Sequence, residues 1–159
     1  MAVVLKVGAA APCHMTLPSH AVTVRLPVVV IGGGLTAIDT ASEALAYYPV
    51  QVEKFLLRYE LLARRHGEAA ARIAWTGEER AVADEFLAHA RALRAERARA
   101  AAEGRKPGLI ELLQSWGGVT IAYRRRLIDS PSYTLNHEEV QKALEEGIRF
   151  AEGLTPLAI

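Results

Sequence analysis

Apolar and polar positions along the chain predict three short strands. Residues 22–31 are rich in Val and Leu and end in the apolar run Val28–Ile31, which is typical of a parallel strand buried on both faces. Residues 119–123 alternate and are β-branched, and residues 148–151 form a short apolar segment near the end of the chain. The pattern therefore predicts a small sheet built from segments far apart in the sequence.

Helical periodicity fills most of the remaining chain. Residues 35–47 carry apolar positions at helical spacing, and Pro49 is expected to end that helix. Near the end of the chain, Asn136 as N-cap and Glu139 three residues later predict a capping box, and Gly147 is placed to end the helix in a left-handed conformation.

A long helical segment separates the first helix from the second strand. Residues 50–103 are rich in Ala, Arg, Glu and Leu, with apolar stripes at helical spacing, and we interpret them as two antiparallel helices. The polar and alanine-rich stretch 96–103 is expected to project into solvent. A breaker-rich loop and a short helix at 109–115 complete the insertion.

Without residues 49–116 the predicted order is strand, glycine turn, helix, strand, helix, strand. We therefore predict an α/β fold: a partial Rossmann-like βαβαβ parallel sheet, formed by residues 21–48 and 117–159, that carries a helical-hairpin insertion at 49–116. Residues 1–20 are interpreted as a poorly ordered lead-in.

The glycine turn after the first strand has the pattern of a dinucleotide-binding loop. Gly32 permits a tight turn, Gly34 lets the backbone approach a pyrophosphate, and Ala37 allows close packing of helix on strand. The N–H groups at the start of the helix attract phosphate. We predict that Gly33 and Thr36 belong to the same cradle; the alternative is a turn that binds nothing.

Three arginines follow the second strand, where NAD-binding folds usually carry an acid. An arginine at this place accommodates the 2′-phosphate of NADP, and its planar guanidinium binds phosphate in a bidentate manner. Arg124 and Arg125 therefore favour NADP(H) over NAD(H). The alternative is a solvated basic turn that pairs with Asp129 or with glutamates of the insertion.

These motifs resemble the NADPH-binding domain of the glutamate synthase small subunit and related FAD-dependent pyridine nucleotide oxidoreductases. The resemblance covers residues 28–48 and 117–152. It is carried by the following motifs: Gly32-Gly33-Gly34, Thr36-Ala37, Asp39, Tyr123-Arg124-Arg125 and Glu145-Glu146-Gly147.

The resemblance implies a chain that positions NADPH for hydride transfer to FAD, with no catalytic residue of its own. This sequence departs from the family in Leu35, where Asp or Asn is common, and in the insertion at 49–116. It holds no second G-x-G-x-x-G for FAD, no cysteine cluster and no CxxC pair. We therefore expect part of an enzyme, partnered by a flavin domain or subunit or by a second copy. The alternative is a non-catalytic interaction module, or a truncated fragment, whose helical insertion mediates protein contacts.

One edge of the predicted sheet lacks a neighbour. In a doubly wound sheet the first strand is central, and without a fourth strand Val28–Ile31 offers an open edge that something should cover. Candidates are residues 2–7, residues 22–26, a second copy, or a separately encoded part of the enzyme.

Composition narrows the possible partners and cellular locations of the protein further. The 159 residues suffice for one domain with a core, and a net charge of +1 favours neither nucleic acid nor an anionic membrane as a partner. No apolar run approaches the roughly 20 residues of a membrane span. A single cysteine, Cys13, suits the cytosol, so we expect a cytoplasmic protein. The five histidines lack metal-ligand spacing, so no metal site is expected.

Overall fold

The computed structural model describes residues 23–155 and the backbone of residues 3–6. These residues form a mixed helix-and-strand structure that is mostly helical and contains a small sheet. They fall into two compact units. The first comprises residues 3–6, 24–47 and 110–155, and the second comprises residues 48–109. Among the described residues, no helix combines the length and hydropathy needed to cross a membrane.

The elements follow one another in a simple order. The strands are β1 (Val3–Lys6), β2 (Val28–Ile31), β3 (Val119–Ala122) and β4 (Arg149–Ala151). The helices are α1 (Leu35–His66), α2 (Glu68–Arg72), α3 (Gly77–Ala102), α4 (Leu109–Ser115) and α5 (Pro131–Glu145), with a 3-10 turn at Leu127–Asp129.

The predicted parallel sheet of three strands is confirmed. Strands β2, β3 and β4 lie side by side in that order, all parallel, with Ile31 opposite Ala122 and Ala122 opposite Ala151. Strand β2 is shorter than the predicted 22–31, because only its four apolar residues enter the ladder. Val28, Val30, Val119 and Ile121 are almost fully buried and form the centre of this unit's core.

Strand β1 occupies the edge of the sheet that the sequence left open. It pairs antiparallel with β2, Val3 opposite Ile31 and Lys6 opposite Val28. The prediction of a poorly ordered lead-in is therefore wrong for Val3–Lys6, because the free N–H and C=O groups of β2 are satisfied by this segment. Residues 7–20 of that lead-in lie outside the described residues. The open edge alone no longer requires a second copy or subunit.

Helix α1 does not end at Pro49, contrary to the prediction. It runs from Leu35 to His66 with the proline inside it. An internal proline removes one helical hydrogen bond and costs about 3 kcal/mol. Tyr48 directly before the proline, and Val52 and Leu56 on the turns after it, are fully buried, and burying such side chains stabilises the continuous helix by about 1.5–3 kcal/mol each.

The second unit has its own core between α1 and α3. Apolar side chains of α3 at helical spacing are buried, as are four aromatic or aliphatic side chains of α1 in this unit. Trp75 lies with its ring 6.2 Å from the ring of Phe55 and 6.0 Å from that of Tyr59. The buried residues of this core include Tyr48, Val52, Leu56, Val82, Phe86, Ala90 and Leu93.

Most of the segment 96–103 at the end of α3 is exposed, as expected, but Glu96 and Ala100 are buried. Glu96 is only 4% exposed. Its Oε1 accepts hydrogen bonds from the Arg105 guanidinium at 2.6 Å and from the Gly108 N–H at 2.8 Å, and Arg99 binds its Oε2. These bonds, led by that of Arg105, lower the pKa of Glu96 to about 2. A carboxylate at this site therefore fastens the 103–108 loop to the helix.

Helix α5 begins earlier than predicted. Its N-cap is Ser130, whose hydroxyl accepts from the Tyr133 N–H at 3.1 Å, and a proline stands in its first turn. Asn136, the predicted N-cap, has a non-helical backbone (φ −149°, ψ 61°) at a kink where two helical segments of α5 meet. The predicted left-handed end is confirmed, since Gly147 has φ +90°.

The boundary between the units falls before α4. The sequence placed residues 109–115 in the insertion, whereas all but the first of them belong to the unit that contains the sheet. Leu113 is buried there, and the amide of Gln114 donates to the Gly147 carbonyl at 3.4 Å. Helix α4 therefore packs beside the end of α5 and leads directly into β3.

Candidate functional site

The candidate site lies at the carboxyl edge of the parallel sheet. Strands β2, β3 and β4 end in register at Ile31, Ala122 and Ala151, so the loops that follow them are neighbours. Hydrogen bonds tie two of these loops together: the Tyr123 N–H donates to the Ala151 carbonyl, and the Leu154 N–H donates to the Tyr123 carbonyl. Ligands of open parallel sheets bind at this edge.

The glycine turn leads directly from β2 into α1. The Gly32 N–H donates to the Ala122 carbonyl at 3.1 Å, and the Ala37 N–H donates to the Gly34 carbonyl at 3.0 Å. Ala37 is 2% exposed, as close packing of helix on strand requires, while Leu35 and Thr36 are exposed at the helix start. Apart from its two chain neighbours, no residue of 23–155 has an atom within 4 Å of where a Cβ of Gly34 would stand, so the backbone there is open to a ligand.

Gly33 has a packing role that the sequence did not predict. A Cβ at this position would meet the ring of Tyr123, with Cδ2 at 2.5 Å and Cζ at 2.6 Å. Its carbonyl accepts two hydrogen bonds from Ser132, one from the N–H at 3.3 Å and one from the hydroxyl at 3.0 Å. A glycine fits at position 33 because the turn packs closely against Tyr123, which follows β3, and is hydrogen-bonded to Ser132 of α5.

Two buried serines support the turn, and the sequence analysis missed them. Ser130 and Ser132 are at most 1% exposed, and their hydroxyls lie 3.1 Å apart. The Ser132 hydroxyl binds the glycine turn, and the Ser130 hydroxyl caps α5. The Ser-Pro pair at 130–131 was the available signal, because serine is a favoured N-cap and proline favours the first helical position.

The three arginines after β3 divide into two groups. Arg126 pairs with Asp129 through contacts of 2.9 and 3.2 Å. This hydrogen bonding lowers the pKa of Asp129, with a smaller contribution from the charge of Arg125. Arg124 and Arg125 are exposed, and neither forms an ion pair within the described part of the chain. The alternative of a basic turn paired with Asp129 thus applies to Arg126.

Among the described residues, few acidic groups lie near this edge. Glu152, after β4, accepts from the Leu127 N–H at 2.6 Å through its Oε1. Asp39 lies exposed on the second turn of α1. The edge therefore combines an open helix start with two cationic side chains on the neighbouring strand, an arrangement that attracts phosphate groups.

Comparison with known proteins gives one relative. An uncharacterized protein of Rickettsia prowazekii (strain Madrid E) is 39% identical over 136 residues, which cover 86% of this chain. The match spans 17% of that protein, so this chain is similar to one part of a much longer polypeptide. No protein-family model and no solved structure matches the chain.

Proposed function

We propose that the first unit is the NADP(H)-binding portion of a flavin-dependent, glutamate-synthase-like oxidoreductase. The observation that carries the proposal is the combination of open backbone at Gly34 with two arginines, Arg124 and Arg125, that follow the next parallel strand and form no ion pair with residues 23–155. The order β2, α1, β3, α5, β4 with parallel strands supports the proposal, because a Rossmann-like half has this order of elements. The second unit, which begins within α1, lies between the two parts of the first unit in the sequence.

Each part of the edge has a role in this proposal. Gly32, Gly34, Thr36 and Ala37 form the cradle for the pyrophosphate at the start of α1, and Gly33 holds the cradle against Tyr123. Arg124 and Arg125 bind the 2′-phosphate. NADPH supplies the hydride and FAD, held outside this chain, accepts it, so no residue of this chain is assigned a catalytic role.

Calorimetric titration with NADPH and with NADH tests the proposal. NADPH should bind more tightly than NADH, because charge-assisted contacts to the 2′-phosphate exist only with the former. Arg124→Glu should weaken NADPH binding about 10- to 100-fold, a range typical for loss of a hydrogen bond to a charged group, and leave NADH binding little changed.

A matched control uses Arg80→Glu, the same change of charge at an exposed position of α3. That variant should bind both nucleotides as the unaltered chain does. Failure of the folded chain to bind either nucleotide, or equal affinity for both, would contradict the proposal.

A second candidate function is contact with another protein through the helical unit. It is favoured by the composition of the exposed face of α1, and it requires no nucleotide.

A further inference from the structure

One face of α1 within the second unit is both apolar and basic. Every residue of this helix between positions 50 and 65 that is classed as exposed is either aliphatic or positively charged. These residues, called the α1 face below, are Val50, Lys54, Leu57, Arg58, Leu61, Arg64 and Arg65. Leu57 and Leu61 are 53% and 56% exposed and lie one helical turn apart, so they form neighbouring apolar contacts on the same face.

The acidic residues of the same helix segment are directed elsewhere. Glu60 pairs with Arg94 of α3 at 2.8 Å, and Glu53 pairs with Arg97 of α3. The four cations of the α1 face form no ion pair within residues 23–155. The glutamates of this helix segment therefore form ion pairs with α3, and the α1 face carries positive charge only.

The spacing of the stripe fits another helix. Val50, Lys54, Leu57 and Leu61 follow at intervals of four, three and four residues, the seam of a two-stranded coiled coil. At 1.5 Å per residue this seam is about 16 Å long. It is one side chain wide and bordered by arginines, whereas a helix that lies in a bilayer surface needs a broad apolar face. Nucleic acid would use the cations but not the leucines.

The positive charge of the α1 face favours a partner that carries negative charge. A second copy of the chain would bring cations against cations, which costs free energy at an interface. Residues 1–22 and 156–159 contain no Asp or Glu, so they cannot supply the complementary charge. We propose that the α1 face binds an amphipathic helix of another protein, with aliphatic residues at three-four spacing and Asp or Glu on both flanks.

The probe for this proposal is a synthetic helical peptide of about 20 residues with Leu at three-four spacing and Glu on both flanks. Its binding to the full chain is followed by fluorescence anisotropy. A second peptide with Lys in place of every Glu, phosphatidylserine vesicles and a single-stranded RNA serve as the other arms. Circular dichroism establishes that each variant is folded, which is expected because the altered side chains are exposed.

The expected result is saturable binding of the acidic peptide that weakens as salt is raised. The pair Arg58→Glu and Arg65→Glu should weaken it about tenfold or more and create binding of the Lys peptide. The pair Leu57→Ser and Leu61→Ser should weaken binding of the acidic peptide, and Arg80→Glu should leave it unchanged. The proposal is overturned if the acidic peptide does not bind, if the α1-face variants bind it normally, or if only vesicles or RNA respond to these variants.

Discussion

Replacing Gly33 by alanine tests the contact between the glycine turn and β3. The added methyl would stand 2.5 Å from Cδ2 and 2.6 Å from Cζ of the Tyr123 ring. Carbon atoms in proteins prefer separations of about 3.5–4.0 Å, so ring or turn must move by about 1 Å. Over-packing of this size costs about 1–3 kcal/mol of the free energy of unfolding. Movement of the turn would also strain the two hydrogen bonds from Ser132.

Gly34→Ala is the matched control at the next position. Nothing lies within 4 Å of its Cβ site, so the free energy of unfolding should change by less than about 0.5 kcal/mol. If a phosphate approaches this backbone, the same methyl should weaken NADPH binding. We therefore expect the substitution at Gly33 to lower the free energy of unfolding, and the substitution at Gly34 to weaken nucleotide binding.

Urea denaturation followed by far-UV circular dichroism measures both variants and isolates the role of the ring. Gly33→Ala is measured again in a Tyr123→Ala background, where the methyl should cost less than about 0.5 kcal/mol because the ring is gone. The reasoning fails if Gly33→Ala is as stable as the unaltered chain, or if its cost is the same with and without the ring.

Two further predictions concern single polar side chains. The pKa of Glu96 is about 2 in the folded chain against an ordinary 4.5, so its stabilising effect is present above pH 4.5 and is lost as the pH falls from there towards 2. The difference in thermal midpoint between the unaltered chain and Glu96→Gln should accordingly shrink over that window, and a constant difference would contradict the assignment. Ser130→Ala removes the cap of α5 and a partner of Ser132, and should lower the free energy of unfolding by about 1–2 kcal/mol. An unchanged midpoint in urea denaturation would show that the cap is dispensable.

Short-range pattern was enough to find the parallel strands and the helix end that depends on a neighbouring glycine. A buried parallel strand needs a continuous apolar run, and a left-handed helix end needs glycine, so Val28–Ile31 and Gly147 could be predicted from the sequence. The length of helix α1 could not be predicted from the sequence. The side chains that stabilise the helix around and beyond Pro49 pack against residues of α3 that lie far away in the sequence.

The candidate site likewise has features that could be predicted from the sequence and features that could not. The open backbone at Gly34 and the unpaired Arg124 and Arg125 follow from motif and position. The roles of Gly33 and Ser132 could not be predicted, since they depend on two segments about 100 residues apart meeting at one carbonyl. Glu96 was mistaken for a solvated residue because its partner Arg105 lies beyond the end of its own helix.

The antiparallel pairing of β1 with β2 has a consequence for how the sheet assembles. Residues 7–27 separate these two strands, whereas the whole of 32–118 separates β2 from β3. Closing the longer loop costs more conformational entropy, and contacts between distant residues form slowly. Of the two strand pairs that β2 forms, the pair with β1 therefore closes the shorter loop. This pair can supply β2 with a hydrogen-bonded neighbour before β3 has been synthesised. Strand β1 would in this way protect an apolar strand on the ribosome as well as in the folded protein.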